Sequence, residues 1–186
     1  MKKIDFFELK VLFAATVLLA IMACTNNKPA EAVENPETSV EATDTLSEET
    51  KQQNMEEVQA FLKECNAFFI ATVDGDQPHV RPFGVSEIID GRLYIITGKV
   101  KNVYKQMAAN GKFEICALKP SGSEWIRVNG TLVNDDALSV KTEMLERNPN
   151  LKSMYQADDD NIAVLYITDG SARFCSFSGS ERKVRF

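Results

Sequence analysis

The stretch Leu93–Gln106, LYIITGKVKNVYKQ, decides how the chain is read. Leu93, Tyr94, Ile95 and Ile96 form a buried-strand pattern that stops at Thr97-Gly98, and a helical pattern follows over Lys99–Asn110. The opening of that helix carries Lys99 and Lys101, with Lys105 one turn on. A helix start holds unpaired N–H groups and about half a unit of positive charge. Lysines there oppose the dipole. Either the face is solvated, or an anion occupies the turn, where Gly98 lets N–H groups converge and Thr97 adds a hydroxyl.

Working outward, "AFFIATV" reads as a buried strand broken by the hairpin signal Asp74-Gly75-Asp76. The next strand is "PHVRPFGVSEII", which turns at Asp90-Gly91 into "RLYIIT". A proline cannot donate to a strand ladder, so Pro82 marks an edge, a bulge or a ligand-contacting position. After the helix come "KFEICAL", a Ser-Gly-Ser turn and the long strand "EWIRVNGTLVN". Asp135-Asp136 is expected to cap a helix running to about Arg147, and Pro149 starts a further turn. "NIAVLYI" and "SARFCSF" read as a last hairpin across Asp169-Gly170. Upstream, "NMEEVQAFLKEC" sets Met55, Val58, Phe61 and Leu62 on one helical face. Hairpin-linked strands with few helices imply a mostly β domain, a closed or nearly closed antiparallel barrel over residues 54–186.

The first 53 residues are expected to stand outside that domain. Lys2, Lys3 and Lys10 precede an apolar run from Val11 to Ala23, an arrangement of secretory type and short for a spanning helix. The run ends in Ile21-Met22-Ala23-Cys24, which resembles the lipobox of bacterial lipoproteins. That resemblance implies a signal peptide over 1–23, lipid on Cys24, and a membrane-anchored protein outside the cytoplasm, periplasmic or at the cell surface. Residues 24–53 are rich in Glu, Thr, Ser, Ala and Pro without an aromatic residue, and read as a disordered tether. Between Thr25 and Ala60 nine acidic residues face two lysines, whereas Phe61–Phe186 carries sixteen of each sign. The formal net charge of −6 thus belongs to the tail, and with no basic stripe opposite it, nucleic acid is excluded as a partner.

Cys65, Cys116 and Cys175 stand in apolar sequence surroundings and read as buried small hydrophobes. With no CxxC and a single histidine, His79, a zinc site or a Ser-His-Asp triad is not expected. His79 itself reads as an outward residue at a strand start.

Three segments in order, "FFIATVDGDQPHVRPFG", "RLYIITGKVKNVYKQMAANGKFEI" and "EWIRVNGTLV", resemble the pyridoxamine 5′-phosphate oxidase-like FMN-binding split barrels, in particular the branch of nitroimidazole-resistance flavoproteins. The resemblance spans Met55 to Phe186 and includes "PNLKSMY" and "FCSFSG". It implies a six-stranded antiparallel split barrel that forms a homodimer with FMN between the subunits. Carried over by position, Thr97, Lys99, Lys101, Asn102 and Lys105 would hold the phosphate. Arg81, Pro82 and Phe83 would line the isoalloxazine, largely through backbone groups. Trp125 and Arg127 would reach the flavin of the partner. The Ser-Arg-Lys run of the true oxidases is Lys101-Asn102-Val103 here, and "SGSERKVRF" lacks their substrate-binding histidine. The resemblance therefore implies flavin binding without vitamin B6 oxidation: an FMN-dependent oxidoreductase acting on a small acceptor. No side chain stands out as a proton donor, so no catalytic residue is named, and no metal is expected. A non-catalytic cofactor carrier, or a barrel binding haem or a deazaflavin, are the other readings of the same residues.

Overall fold

The computed structural model describes residues 46–186; the leader over 1–23, Cys24 and the tether to residue 45 lie outside the described residues. Helix α1 (Glu48–Glu64) opens the fold, capped by the Ser47 hydroxyl, which accepts from the Thr50 N–H at 3.1 Å. It starts six residues before the expected boundary at residue 54. Ser47 supplies the cap, and Glu48 and Glu49 suit the positive helix start, so this end of the acidic tail is helical.

Eight strands follow: β1 (Phe68–Asp74), β2 (Gln77–Phe83), β3 (Ser86–Ile89), β4 (Arg92–Gly98), β5 (Lys112–Leu118), β6 (Glu124–Asp135), β7 (Ile162–Ser176) and β8 (Glu181–Arg185). Helix α2 (Asn102–Ala109) lies between β4 and β5. Helix α3 (Leu138–Arg147) and a 3₁₀ turn (Pro149–Ser153) separate β6 from β7. All pairings are antiparallel, in the order β2-β1-β5-β6-β7-β4-β3, with β8 beside β7.

The two edges of this path, β2 and β3, are joined by only Gly84 and Val85. Seven flat strands would set their edges about 29 Å apart. Three residue steps reach only about 10 Å. The sheet must therefore curl until its edges nearly meet. The result is a split barrel, mostly β and not closed, with the seam at Gly84-Val85. Pro78 and Pro82 sit on the edge strand β2, where no outer neighbour needs their missing N–H.

Two expectations about strands change. "PHVRPFGVSEII" is two strands on opposite edges, because the chain crosses the seam in its middle. The expected hairpin at Asp169-Gly170 is instead a bulge within the single long strand β7. There two residues, Asp169 and Gly170, oppose Gly130 alone, and Asp169 takes φ 51°. The bulge bends β7, whose first part pairs with β4 and whose second part pairs with β8. Gly170 leaves no room for a side chain, since a Cβ there would lie 2.5 Å from the Phe186 ring.

One core fills the barrel: Phe68, Ile70, Ile95, Ile115, Ile126, Val128 and Leu165 face Met55, Val58 and Leu62 of α1 and Val103 and Met107 of α2. A second core lies outside, where Tyr94, Ile96, Ile162 and Val164 meet Val140, Met144 and Leu145 of α3, then Leu151 and Tyr155. Strand β4 is covered on both faces, which is why Leu93–Ile96 has no polar alternation.

Candidate cofactor site

A cavity of about 390 Å³ opens at the seam. Arg81, Pro82, Phe83, Gly84 and Val85 come from the crossing segment, Ile96 and Thr97 from the end of β4, and Lys101, Asn102 and Val103 from the start of α2. Leu151, Met154 and Tyr155 close it from the turn after α3. Six of the ten expected cofactor residues thus meet in one cavity: Arg81, Pro82, Phe83, Thr97, Lys101 and Asn102.

The turn after β4 is built around Asn161. The Lys99 N–H donates to the Asn161 carbonyl at 2.6 Å and the Val100 N–H to Asn161 Oδ1 at 3.2 Å. Gly98 permits this approach, because a Cβ there would lie 3.1 Å from Asn161 Oδ1 and 3.3 Å from the Tyr155 hydroxyl. Helix α2 then starts at Asn102, with Lys101 as its N-cap and no side-chain cap. Among the described residues, the N–H groups of Asn102 and Val103 have no acceptor.

The lysines of this turn divide. Lys99 lies before the helix and does not line the cavity. Its ammonium donates to Asp136 Oδ1 at 2.8 Å, and Lys141 reaches the same oxygen at 3.2 Å. The bond to Asp136 raises the Lys99 pKa, and the bond from Lys99 holds the Asp136 carboxyl down at about 2. Asp136 is accordingly an ion-pair partner and not a helix cap. The cap position of α3 belongs to Ala137, while Asp135 accepts from the Ala137 N–H and from the Tyr94 hydroxyl. Burial and the bond to Asp135 push the Tyr94 phenol up to about 12. Lys101 has no carboxylate partner among the described residues, and its ammonium lies 5.9 Å from the centre of the Tyr155 ring. Lys105 lies one turn on, in a separate cavity of about 290 Å³ with Asp74, Asn102 and Gln106.

Arg81 turns its guanidinium inward, toward Thr72 and Gln106. His79 lies on that same inward side and is half-buried, opposite the buried Thr72. Alternation sends Val80 and Pro82 outward instead. Trp125 and Arg127 are outside the cavity. They share the outer face of β6, where Trp125 packs on Phe177 at 4.8 Å between ring centres and Arg127 bonds Glu114. Cys116 is on that outer face too and is exposed, while Cys65 is buried and Cys175 lies between the two extremes. The apolar neighbours Ile115 and Ala117 point the other way along the strand, so they do not bury Cys116.

The lining residues Val85, Ile96, Val103, Leu151, Met154 and Tyr155 were not anticipated. The spacing of Leu151, Met154 and Tyr155 after Pro149 was the available signal. The donor set suits a ligand with one anionic and one planar apolar end. Lys101 and two free N–H groups stand at the first, with Arg81 in the wall, and Phe83, Val85, Ile96, Leu151 and Met154 line the rest. Among the described residues, no carboxylate lines the cavity. No group of three acidic, His or Cys side chains that could hold a metal occurs among the described residues.

Fold and cavity together define a split-barrel protein with a ligand cavity at its seam. The model of the pyridoxamine 5′-phosphate oxidase family matches residues 55–147, and the chain belongs to that family. A NimC/NimA family protein from Clostridium acetobutylicum is similar in structure with TM-score 0.72 and 44% identity, over 75% of this chain and 96% of that one. A heme binding protein from Mycobacterium smegmatis shares the fold at TM-score 0.55 and 11% identity, over 76% of this chain and 59% of that one. The D-allose-binding periplasmic protein of Escherichia coli is 32% identical over 111 residues, 53% of this chain. The chain spans 33% of that relative's length.

Proposed function

We propose that the protein is an FMN-binding flavoprotein, an oxidoreductase that passes electrons to a small acceptor. The observation that carries this reading is the polarity of the seam cavity, cationic at the α2 end and apolar elsewhere, in a chain of this family. Bound FMN would supply the redox chemistry, accepting electrons from a donor such as a nicotinamide nucleotide and yielding them to a quinone, nitro compound or similar acceptor. Lys101, Arg81 and the free N–H groups of Asn102 and Val103 bind the phosphate, and Thr97 offers a hydroxyl beside them. The segment Pro82–Val85 and Ile96 flank the ring. Leu151, Met154 and Tyr155 roof it and keep water out. Among the described residues, no carboxylate, histidine or cysteine lines the cavity.

The same reading makes the protein a homodimer. Phe69, Leu118 and Phe177 are exposed beside Trp125 on one outer face, a contiguous apolar surface suited to a second copy. Trp125 and Arg127 would then contact the partner's flavin. A lipid on Cys24 would hold the dimer at the membrane outside the cytoplasm. No helix among the described residues is long and apolar enough to cross a membrane.

The test is direct. The purified full chain, once denatured, should release a yellow chromophore that chromatographs as FMN. A colourless protein that does not take up added FMN overturns the reading. Turnover with reduced nicotinamide and a panel of acceptors then separates an oxidoreductase from a flavin carrier.

A further inference from the structure

Behind the cavity wall, Arg81 is held by two buried neutral groups. Its Nη1 donates to Thr72 Oγ1 and its Nη2 to Gln106 Oε1, both at 2.6 Å. The Thr72 hydroxyl donates to the same Gln106 oxygen at 2.8 Å, closing a triangle of hydrogen bonds. Gln106 Nε2 faces Asp74 Oδ2 at 3.4 Å. Thr72 is 1% exposed and Gln106 6% exposed.

The choice of residue at position 106 is informative. It lies on the buried face of α2 with Val103 and Met107, where an aliphatic chain would pack at no polar cost. A glutamate of the same length would bond a guanidinium more strongly, because the bond would join opposite charges. A neutral amide does something neither alternative can. It fixes the guanidinium without adding a negative charge beside it: no carboxylate bonds Arg81 directly among the described residues, and Asp74 meets the far end of the Gln106 amide instead.

We infer that Gln106 and Thr72 are positioning residues that hold Arg81 in place while keeping its charge available to an anionic group in the cavity. Gln106 thereby sets the preference of the cavity for a phosphorylated over an unphosphorylated flavin. The inference rests on the flavin reading above and adds to it the source of phosphate selectivity.

The experiment compares FMN with riboflavin on the full chain and on Gln106→Glu, by flavin fluorescence titration, with apo-protein melting measured alongside. Gln106→Glu pairs Arg81 with a carboxylate and so neutralises it. FMN should bind roughly tenfold more weakly or worse, equivalent to about 1.4 kcal/mol. Riboflavin affinity should be unchanged; an earlier apo melt is expected from the lost contact between position 106 and Asp74 and does not bear on the flavin comparison. A purely structural glutamine would shift both flavins together. Should Gln106→Glu not fold, Thr72→Val carries the same comparison, with FMN weakened and riboflavin unchanged. An unaltered preference for FMN over riboflavin in the folded variant overturns the inference and leaves the flavin reading intact. If the unaltered protein binds neither flavin, both fall.

Discussion

The barrel has two outer faces of opposite fate. On one, Tyr94, Ile96, Ile162 and Val164 are covered by α3 and the turn after it, and Met144 there is fully buried. On the other, Phe69 is 51% exposed, Leu118 50% and Phe177 74%, with no element of the described chain laid over them. Both faces alternate with the same barrel core, and both carry large apolar side chains. The difference is where the covering comes from. The first is covered by the chain's own residues 136–161, between β6 and β7; for the second we propose that the cover is a second copy. The cavity lies on the covered side, so its roof is intrinsic, whereas any contact through Trp125 or Arg127 depends on assembly.

The covered face should be the expensive one to damage. Met144→Ala leaves a hole between α3 and the sheet and should cost about 2–5 kcal/mol of unfolding free energy. Chemical denaturation measures it. A loss below about 1 kcal/mol would mean that the roof packs loosely, and the contrast between the faces would collapse. Trp125→Ala on the bare face should scarcely alter the stability of one subunit. It should instead weaken self-association by about 2 kcal/mol, as a central aromatic at an interface does. Light scattering across a dilution series reads this as a shift from two chains toward one. A variant that remains fully associated would assign dimerisation to another surface.

Much of this contrast is hidden in the sequence for a physical reason. Alternation along a strand says that two faces exist, and continuous apolar runs such as Leu93–Ile96 say that both are covered. Neither says by what. The curl was legible only indirectly. Gly84-Val85 looks like mid-strand sequence, because the residues on either side are strand-forming whichever edge they join. Asp169-Gly170 has the composition of a hairpin turn, and only the partner Gly130, on the preceding strand about forty residues back, converts it into a bulge. The cavity was better foretold, since Pro82 in a strand and Lys101 at a helix start are local oddities. Their supports were not. Nothing near Arg81 in sequence reveals Gln106, twenty-five residues on, and nothing near Lys99 reveals Asp136.

Lys99 and Lys101 sharpen the comparison at the edge of the roof. Two residues apart, they have opposite surroundings: Lys99 is tied to Asp136 at the foot of α3, and Lys101 has no carboxylate partner and faces the cavity. Lys101→Ala should weaken FMN binding by about 1.5 kcal/mol, the loss of one charge-assisted hydrogen bond, and leave apo stability unchanged or slightly raised because α2 no longer opposes a cation. Lys99→Ala should do the reverse, lowering apo stability slightly and leaving FMN affinity alone. Flavin titration and thermal melting on both variants decide the matter. Equal effects on flavin would return Lys99 to the phosphate clamp.

The smallest effect tests how the roof is fastened. Asp136 has a depressed carboxyl pKa, about 2 where an ordinary aspartate titrates near 3.8, chiefly through the bond from Lys99. For such a group the stabilisation is present above the unfolded pKa and is lost as pH falls through the folded one. The contribution should therefore be full from about pH 5 upward and fade between about pH 4 and 2. The carboxylate is more than half exposed, so solvent screening limits it to under about 1 kcal/mol. Asp136→Asn should melt slightly earlier than the unaltered protein at pH 6, and the gap should close as the pH is lowered toward 2. A gap that stays constant over that range would show that Asp136 holds α3 through packing or backbone geometry, and that its charge contributes nothing to keeping the roof in place.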